Sequence, residues 1–226
     1  MKADRTLPGR NFDLADNFFY SLKKHISDAQ FVRARLFKLE LDSAFAERGF
    51  AEVPFLARDG DMLALHNLLS HGRVKLDCTN LPDIKSGLIE GYVTRHIDKK
   101  RLRYDLKVRP TDSYIYGNPL APLPHPPCSH IGDDTQPIPI WYDIHDNFVA
   151  VMWWKVLAAV ISMLALRPGI MIEEAVKALK PSVEEWELKL LMDWMVSAKV
   201  ARKVVGAGWI TQEWFWMLID PNARNG

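Results

Sequence analysis

Cysteine is nearly missing from this chain: Cys78 and Cys128 are the two in 226 residues. Two thiols cannot build a disulfide framework, so a reducing compartment is expected. Net charge is nearly missing too, +1 from 29 Lys and Arg against 28 Asp and Glu. That excludes a generally basic nucleic-acid coat and leaves local patches open. Glycine is sparse, at twelve, and none stands in GxxxxGK or GxGxxG order, so no phosphate-cradling loop is recognisable. Residues 1–10 lack the apolar run of a secretory signal. No nucleophile elbow and no repeat of fixed period is visible. What is present is ordinary globular usage, 48% hydrophobic and 25% charged, at a length that suits one large domain or two small ones.

The charge that exists is segregated. Residues 85–109 hold eight basic and three acidic groups, whereas residues 110–146 hold five Asp and no Lys or Arg. Eight of the fourteen prolines lie between Pro110 and Pro139. The run 119–127 cannot be helical, because proline lacks the N–H and clashes with the preceding turn. Residues 110–140 therefore read as a proline-rich linker with polyproline character. It parts a unit at 1–109 from a unit at 141–226.

In the C-terminal unit, residues 148–166 are apolar except for Lys155 and Ser162. A charge at mid-run and no flanking basic cluster argue against a membrane span and for a buried helix. Ile172, Ala175, Val176 and Leu179 share a helical face. Pro181 ends that helix. Ser182 followed by Glu185 suggests a capping box for another helix reaching about Lys199. Residues 200–205 read as a strand, 206–208 as a turn and 209–219 as a return strand. Three helices and a hairpin are the order of a winged helix. Its third helix carries Glu184, Glu185, Glu187 and Asp193 against Lys189 and Lys199, a poor surface for a polyanion. Five tryptophans crowd residues 186–216. Core packing is the ordinary reason for them; any left exposed, with Trp209, Trp214 and Trp216 the candidates, would mark a partner-binding face.

The N-terminal unit reads similarly. Apolar spacing predicts helices over 12–26 and 29–48, and a third from about 62 to 69 capped by Asp59 or Asp61. His71 and Gly72 end the third. Residues 73–78 and 101–109 alternate as strands, which gives a second winged-helix-like unit with an enlarged wing over 79–100. Arg95, Lys99, Lys100, Arg101, Arg103, Lys107 and Arg109 gather on or near this hairpin. They suit either a solvated strand face or contact with DNA phosphates. The fold class expected is α+β, mainly α, with two winged-helix-like units joined by a proline-rich linker.

His125, Cys128 and His130 have ligand-type atoms. A zinc site there would need Cys78 or His145 as well, and rigid prolines stand between. No metal, cofactor or catalytic residue is assigned. A metal-dependent enzyme using 125–146 is the reading of a different class.

Several phrases together resemble a known family: 59–68 (DGDMLALHNL), 71–74 (HGRV), 91–99 (GYVTRHIDK), 140–145 (IWYDIH), 167–170 (RPGI) and 213–216 (EWFW). They resemble the C-terminal region of the largest, B-block-binding subunit of fungal transcription factor IIIC, over about residues 12–219. The resemblance implies a nuclear, multi-subunit, DNA-bound assembly that recognises the internal promoter of tRNA genes for RNA polymerase III. It implies a non-enzymatic piece of a longer subunit, with other subunits and double-stranded DNA as partners and no membrane. It carries over no base-reading residue. A pure protein-interaction module without DNA contact is the alternative.

Overall fold

A computed structural model describes residues 2–3, 12–13, 26–54, 57–77, 105–120, 122–128 and 137–219. In chain order these form strands β1 (Lys2–Ala3) and β2 (Phe12–Asp13), helix α1 (Asp28–Arg48), β3 (Ala51–Pro54), α2 (Asp59–Ser70), β4 (Val74–Asp77) and β5 (Asp105–Pro110). Helices α3 (Ala150–Leu166), α4 (Ile172–Leu179) and α5 (Glu185–Ser197) follow, then β6 (Ala201–Val204), β7 (Gly208–Thr211) and a 3₁₀ turn at Phe215–Met217. The architecture is mixed and mainly helical, with small antiparallel sheets.

Contacts divide the chain into a central unit, Ala29–Ala121, and a bipartite unit made of Met1–Asp28 and Pro122–Gly226. This differs from the expected partition at 109 and 140, and hydrogen bonds give the reason. The Ile26 N–H donates to Ser162 Oγ on α3, and Ile26 is buried, so the first segment belongs with the C-terminal helices. The proline segment is shared out rather than free. Thr111 Oγ1 donates to the carbonyls of Gly72 and Arg73 at 2.7 and 2.9 Å, within the central unit. The Trp141 indole donates to the Pro127 carbonyl at 2.8 Å, and the Trp194 indole to that of His125 at 2.9 Å, within the bipartite unit. A proline-rich chain keeps its carbonyls free of internal bonding, which makes them available to buried indoles that need an acceptor.

In the central unit, β5 is the middle strand of a sheet ordered β3-β5-β4. Ala51 and Leu76 flank Val108, whereas Glu52 and Asp77 flank Lys107. The buried faces of α1 (Phe31, Ala34, Phe37, Leu41, Phe45) and α2 (Leu63, Ala64, Leu65, Leu68) supply the core, together with Val53 and Val108. The two helices meet at Gly60, where a Cβ would stand 2.6 Å from the Gln30 carbonyl oxygen. Asp59 does not cap α2. Arg58 holds the cap position without a side-chain bond, and Asp59 instead accepts the Gln30 amide at 3.2 Å. The expected helix over 12–26 is not formed at Phe12 and Asp13, which pair with Ala3 and Lys2 as strand; residues 14–25 lie outside the described residues. The strands predicted over 73–78 and 101–109 are present as Val74–Asp77 and Asp105–Pro110, while residues 78 and 101–104 lie outside the described residues.

In the bipartite unit, α3 is buried through Trp153, Val156, Leu157, Val160, Ile161 and Leu164. Each such side chain contributes about 1.5–3 kcal/mol of transfer free energy. Among the described residues no helix is long and apolar enough to cross a membrane. The Trp153 ring packs edge-on against Trp141 (5.3 Å) and Trp194 (4.8 Å). The box opening α5 pairs Glu184 with Glu187, not Ser182 with Glu185: Glu187 Oε2 accepts the Glu184 N–H at 2.8 Å. Strand β7 covers only Gly208–Thr211 of the expected 209–219, because the chain turns into the 3₁₀ segment after Gln212. On its far side β7 pairs with Ile170, between α3 and α4. Gly208 (φ 78°) lies so close to the Gly169 carbonyl that no Cβ fits.

Candidate functional site

Of the seven basic residues singled out in the sequence, Arg95, Lys99, Lys100, Arg101 and Arg103 lie outside the described residues. Lys107 and Arg109 stand on β5, two residues apart and therefore on one face. Phe50, in the two-residue connection between α1 and β3, brings them together. The Lys107 Nζ lies 4.0 Å from its ring centroid, the Arg109 guanidinium carbon 5.8 Å, and the Arg48 guanidinium carbon, from the end of α1, 5.6 Å. Arg109 also donates to Asp77 Oδ2 across the strand pair, at 3.1 Å. Lys107 and Arg48 make no ion pair among the described residues. Sequence reasoning missed Arg48 and Phe50. The helix end and the loop aromatic are far from Lys107 and Arg109 in the chain, and the β3–β5 pairing brings them together.

The rest of that face is balanced. Lys75, Lys107 and Arg109 share it with Glu52, Asp77 and Asp105, by the strand register. Excess positive charge in the described part comes from Arg48.

A second polar cluster is structural. Lys38 is fully buried and donates to Asp42 Oδ1 (2.7 Å) and the Ile115 carbonyl (2.8 Å). The Tyr114 hydroxyl donates to the same Asp42 oxygen at 2.8 Å, and the Gly117 N–H reaches Asp42 Oδ2 at 3.1 Å. Burial pulls the Lys38 ammonium below its ordinary value, against the pull of Asp42. Burial pushes the Tyr114 phenol up, and its bond to Asp42 adds to this. Arg33 grips both Glu40 oxygens at 2.7 Å and bonds Asp61, linking α1 to the start of α2. That grip holds the Glu40 carboxyl below its usual range. The Lys38 cluster is satisfied and points into packing, whereas the Arg33–Glu40 pair lies at the surface.

The tryptophans do not form an exposed face. Trp209 is 8% exposed, Trp214 7% and Trp216 0%. The sequence expectation of a docking surface at these three residues is corrected by their burial, which their size and apolar bulk favour. The acidity of α5 is also less available than its composition implies. Glu187 is buried, with Oε1 accepting the Ile140 N–H at 2.7 Å, and Glu185 pairs with Lys189 at 2.7 Å.

At 125–146, His125 uses its backbone carbonyl for Trp194, and Cys128 is exposed. Asp143 is spent on its own turn, accepting from His145 N–H and from Asn147 N–H and side chain. The Asn147 amide holds its carboxyl below the usual range. Among the described residues no three His, Cys, Asp or Glu groups are placed to hold a metal ion. Cys78 and His130 lie outside the described residues.

The chain is similar to the transcription factor tau subunit sfc3 of Schizosaccharomyces pombe (strain 972 / ATCC 24843), with 24% identity over 199 residues. The match covers 87% of this chain and 14% of the relative, so the chain spans about one seventh of that protein's length. This agrees with the resemblance to a transcription factor IIIC subunit drawn from the sequence. Residues 1–177 match the family of unknown function DUF6581, and the chain is a member of that family.

Proposed function

We propose that this chain is a non-enzymatic assembly module of a general transcription factor serving RNA polymerase III in the nucleus, built from two winged-helix units. It holds other subunits of the factor and touches the backbone of double-stranded DNA through the basic stretch 95–109. The observation that carries the reading is a repeated topology. Each unit runs from a helix through an extended segment to one or two further helices and a strand pair, and in each the extended segment pairs with the last strand: β3 with β5, and Ile170, as a single bridge, with β7. That pairing supports the winged-helix reading, a scaffold that suits both DNA and protein contacts. The similarity to a transcription factor subunit supports the same assignment. The central unit has one helix, α2, where the bipartite unit has α4 and α5 between the first strand segment and the hairpin.

Replacement of Lys99, Lys100, Arg101 and Arg103 by Ala tests the DNA part in a duplex shift assay. Binding should weaken alike on all sequences, with a flatter dependence on salt, because phosphate neutralisation releases counterions. Unchanged binding at low salt removes DNA contact from the proposal. The remaining reading is then a protein-interaction module alone, which the charge balance on the described face of β3-β5-β4 favours.

A further inference from the structure

We propose that Arg48, Lys107 and Arg109, gathered around Phe50, form a phosphate-binding site whose ligand is the phosphodiester backbone of duplex DNA. The proposal rests on the DNA-contact reading above and gives it a fixed anchor where the last two members of the basic stretch, Lys107 and Arg109, are joined by Arg48. Its basis is geometric. Three cations from two elements lie within 5.8 Å of one ring centroid, and one carboxylate, Asp77, is hydrogen-bonded to one of them.

Attraction to the ring does not explain the gathering. A phenyl face favours a cation within about 6 Å, and Lys107 at 4.0 Å fits that well. Arg48 at 5.6 Å and Arg109 at 5.8 Å are at the margin, and each cation repels the other two. Arg48 gains from its place at the C-terminal end of α1, but that gain does not account for the two further positive groups around the same ring. A single tetrahedral anion offers what the ring cannot. Its oxygens would accept from two planar guanidinium forks and an ammonium together, which turns mutual repulsion into convergent, charge-assisted hydrogen bonding. Arg48 is exposed, Lys107 partly so, and Phe50 half-buried, so the donors are open to a large ligand while the ring fixes where they sit. The chain enters β5 directly from Arg101 and Arg103. Glu52 and Asp77 both stand opposite Lys107 in register; Asp77 is bonded to Arg109, and Glu52 is the carboxylate whose charge the test removes.

The test measures binding of a mixed-sequence duplex across a salt series for the whole chain, the four-alanine variant above, Arg48→Ala, Arg48→Gln and Glu52→Gln. Thermal unfolding of each variant confirms that it is folded. If the site holds one phosphate, both Arg48 variants lower the slope of log K against log salt by about 0.9, and Glu52→Gln binds more tightly than the unaltered chain. A purely structural role for Arg48 would move neither the slope nor the Glu52→Gln affinity. Unchanged slopes for both Arg48 variants, with binding lost in the four-alanine variant, overturn the site and leave the basic-stretch reading standing. Failure of the unaltered chain to bind duplex at about 50 mM salt overturns both.

Discussion

The two units reach a related topology with different chemistry. The bipartite unit is cemented by aromatic rings: Trp141 and Trp194 pack edge-on against Trp153 of α3, and the indole N–H groups of Trp141 and Trp194 are capped by proline-segment carbonyls. The central unit, with a smaller set of helices, relies on polar locks. Lys38–Asp42–Tyr114 pins residues 114–117 to α1, and Arg33 ties α1 to α2. The difference teaches that a shared order of elements does not prescribe a shared source of stability. A core with three helices hides bulk, whereas a core with two completes itself by burying hydrogen-bonded charge, whose value depends on every partner being present.

The sharpest break of the comparison comes from removing one member of each cement. Trp153→Ala should cost about 3–5 kcal/mol in urea unfolding, as a cavity between the Trp141 and Trp194 rings. Asp42→Ala should cost a similar ~3–5 kcal/mol, because it strands the buried Lys38 ammonium. Lys38→Met should cost far less than Asp42→Ala, since Asp42 keeps the Tyr114 hydroxyl and the Gly117 N–H. Equal losses from the two would show that the charge pair itself, rather than the orphaned cation, carries the energy. Next in size, Gly60→Ala should destabilise by about 1–3 kcal/mol through overpacking against the Gln30 carbonyl, measured by the same denaturation. The smallest effect is expected at the surface: Glu40→Gln should cost less than ~1 kcal/mol. Because Arg33 lowers the Glu40 pKa in the folded state, its contribution is present above the ordinary 4.5 and lost as pH falls through the folded value. The gap between variant and parent should therefore close in acid.

Much of this was legible in the sequence. The apolar spacing of α1 marks that helix, the run from Ala150 to Leu166 marks α3, and the glycines at 206 and 208 mark the second hairpin. Strand β3 escaped notice because four residues, with only Ala51 and Val53 buried, are too few to show a period. Lys38 escaped because nothing in a helical pattern, not even Asp42 four residues on, tells a buried lysine from a solvated one; the carbonyl that completes its shell comes from 77 residues away. The cap of α2 was misplaced because Asp59 and Asp61 carry the right chemistry for it but are engaged by Gln30 and Arg33 on the neighbouring helix. The basic stretch was visible as composition, yet the aromatic ring that collects its last two members, and the arginine that joins them, were set by tertiary pairing.

The bond from Ile26 to Ser162 has a consequence for the order in which the polypeptide matures. Residues 29–121 contain every described partner of their own sheet and locks, so they can fold while the ribosome is still translating the rest. The bipartite unit cannot close until α3 has emerged, 136 residues after Ile26. During that interval the Ile26 N–H has no Ser162 hydroxyl to donate to, so closure of the bipartite unit follows synthesis of the central one.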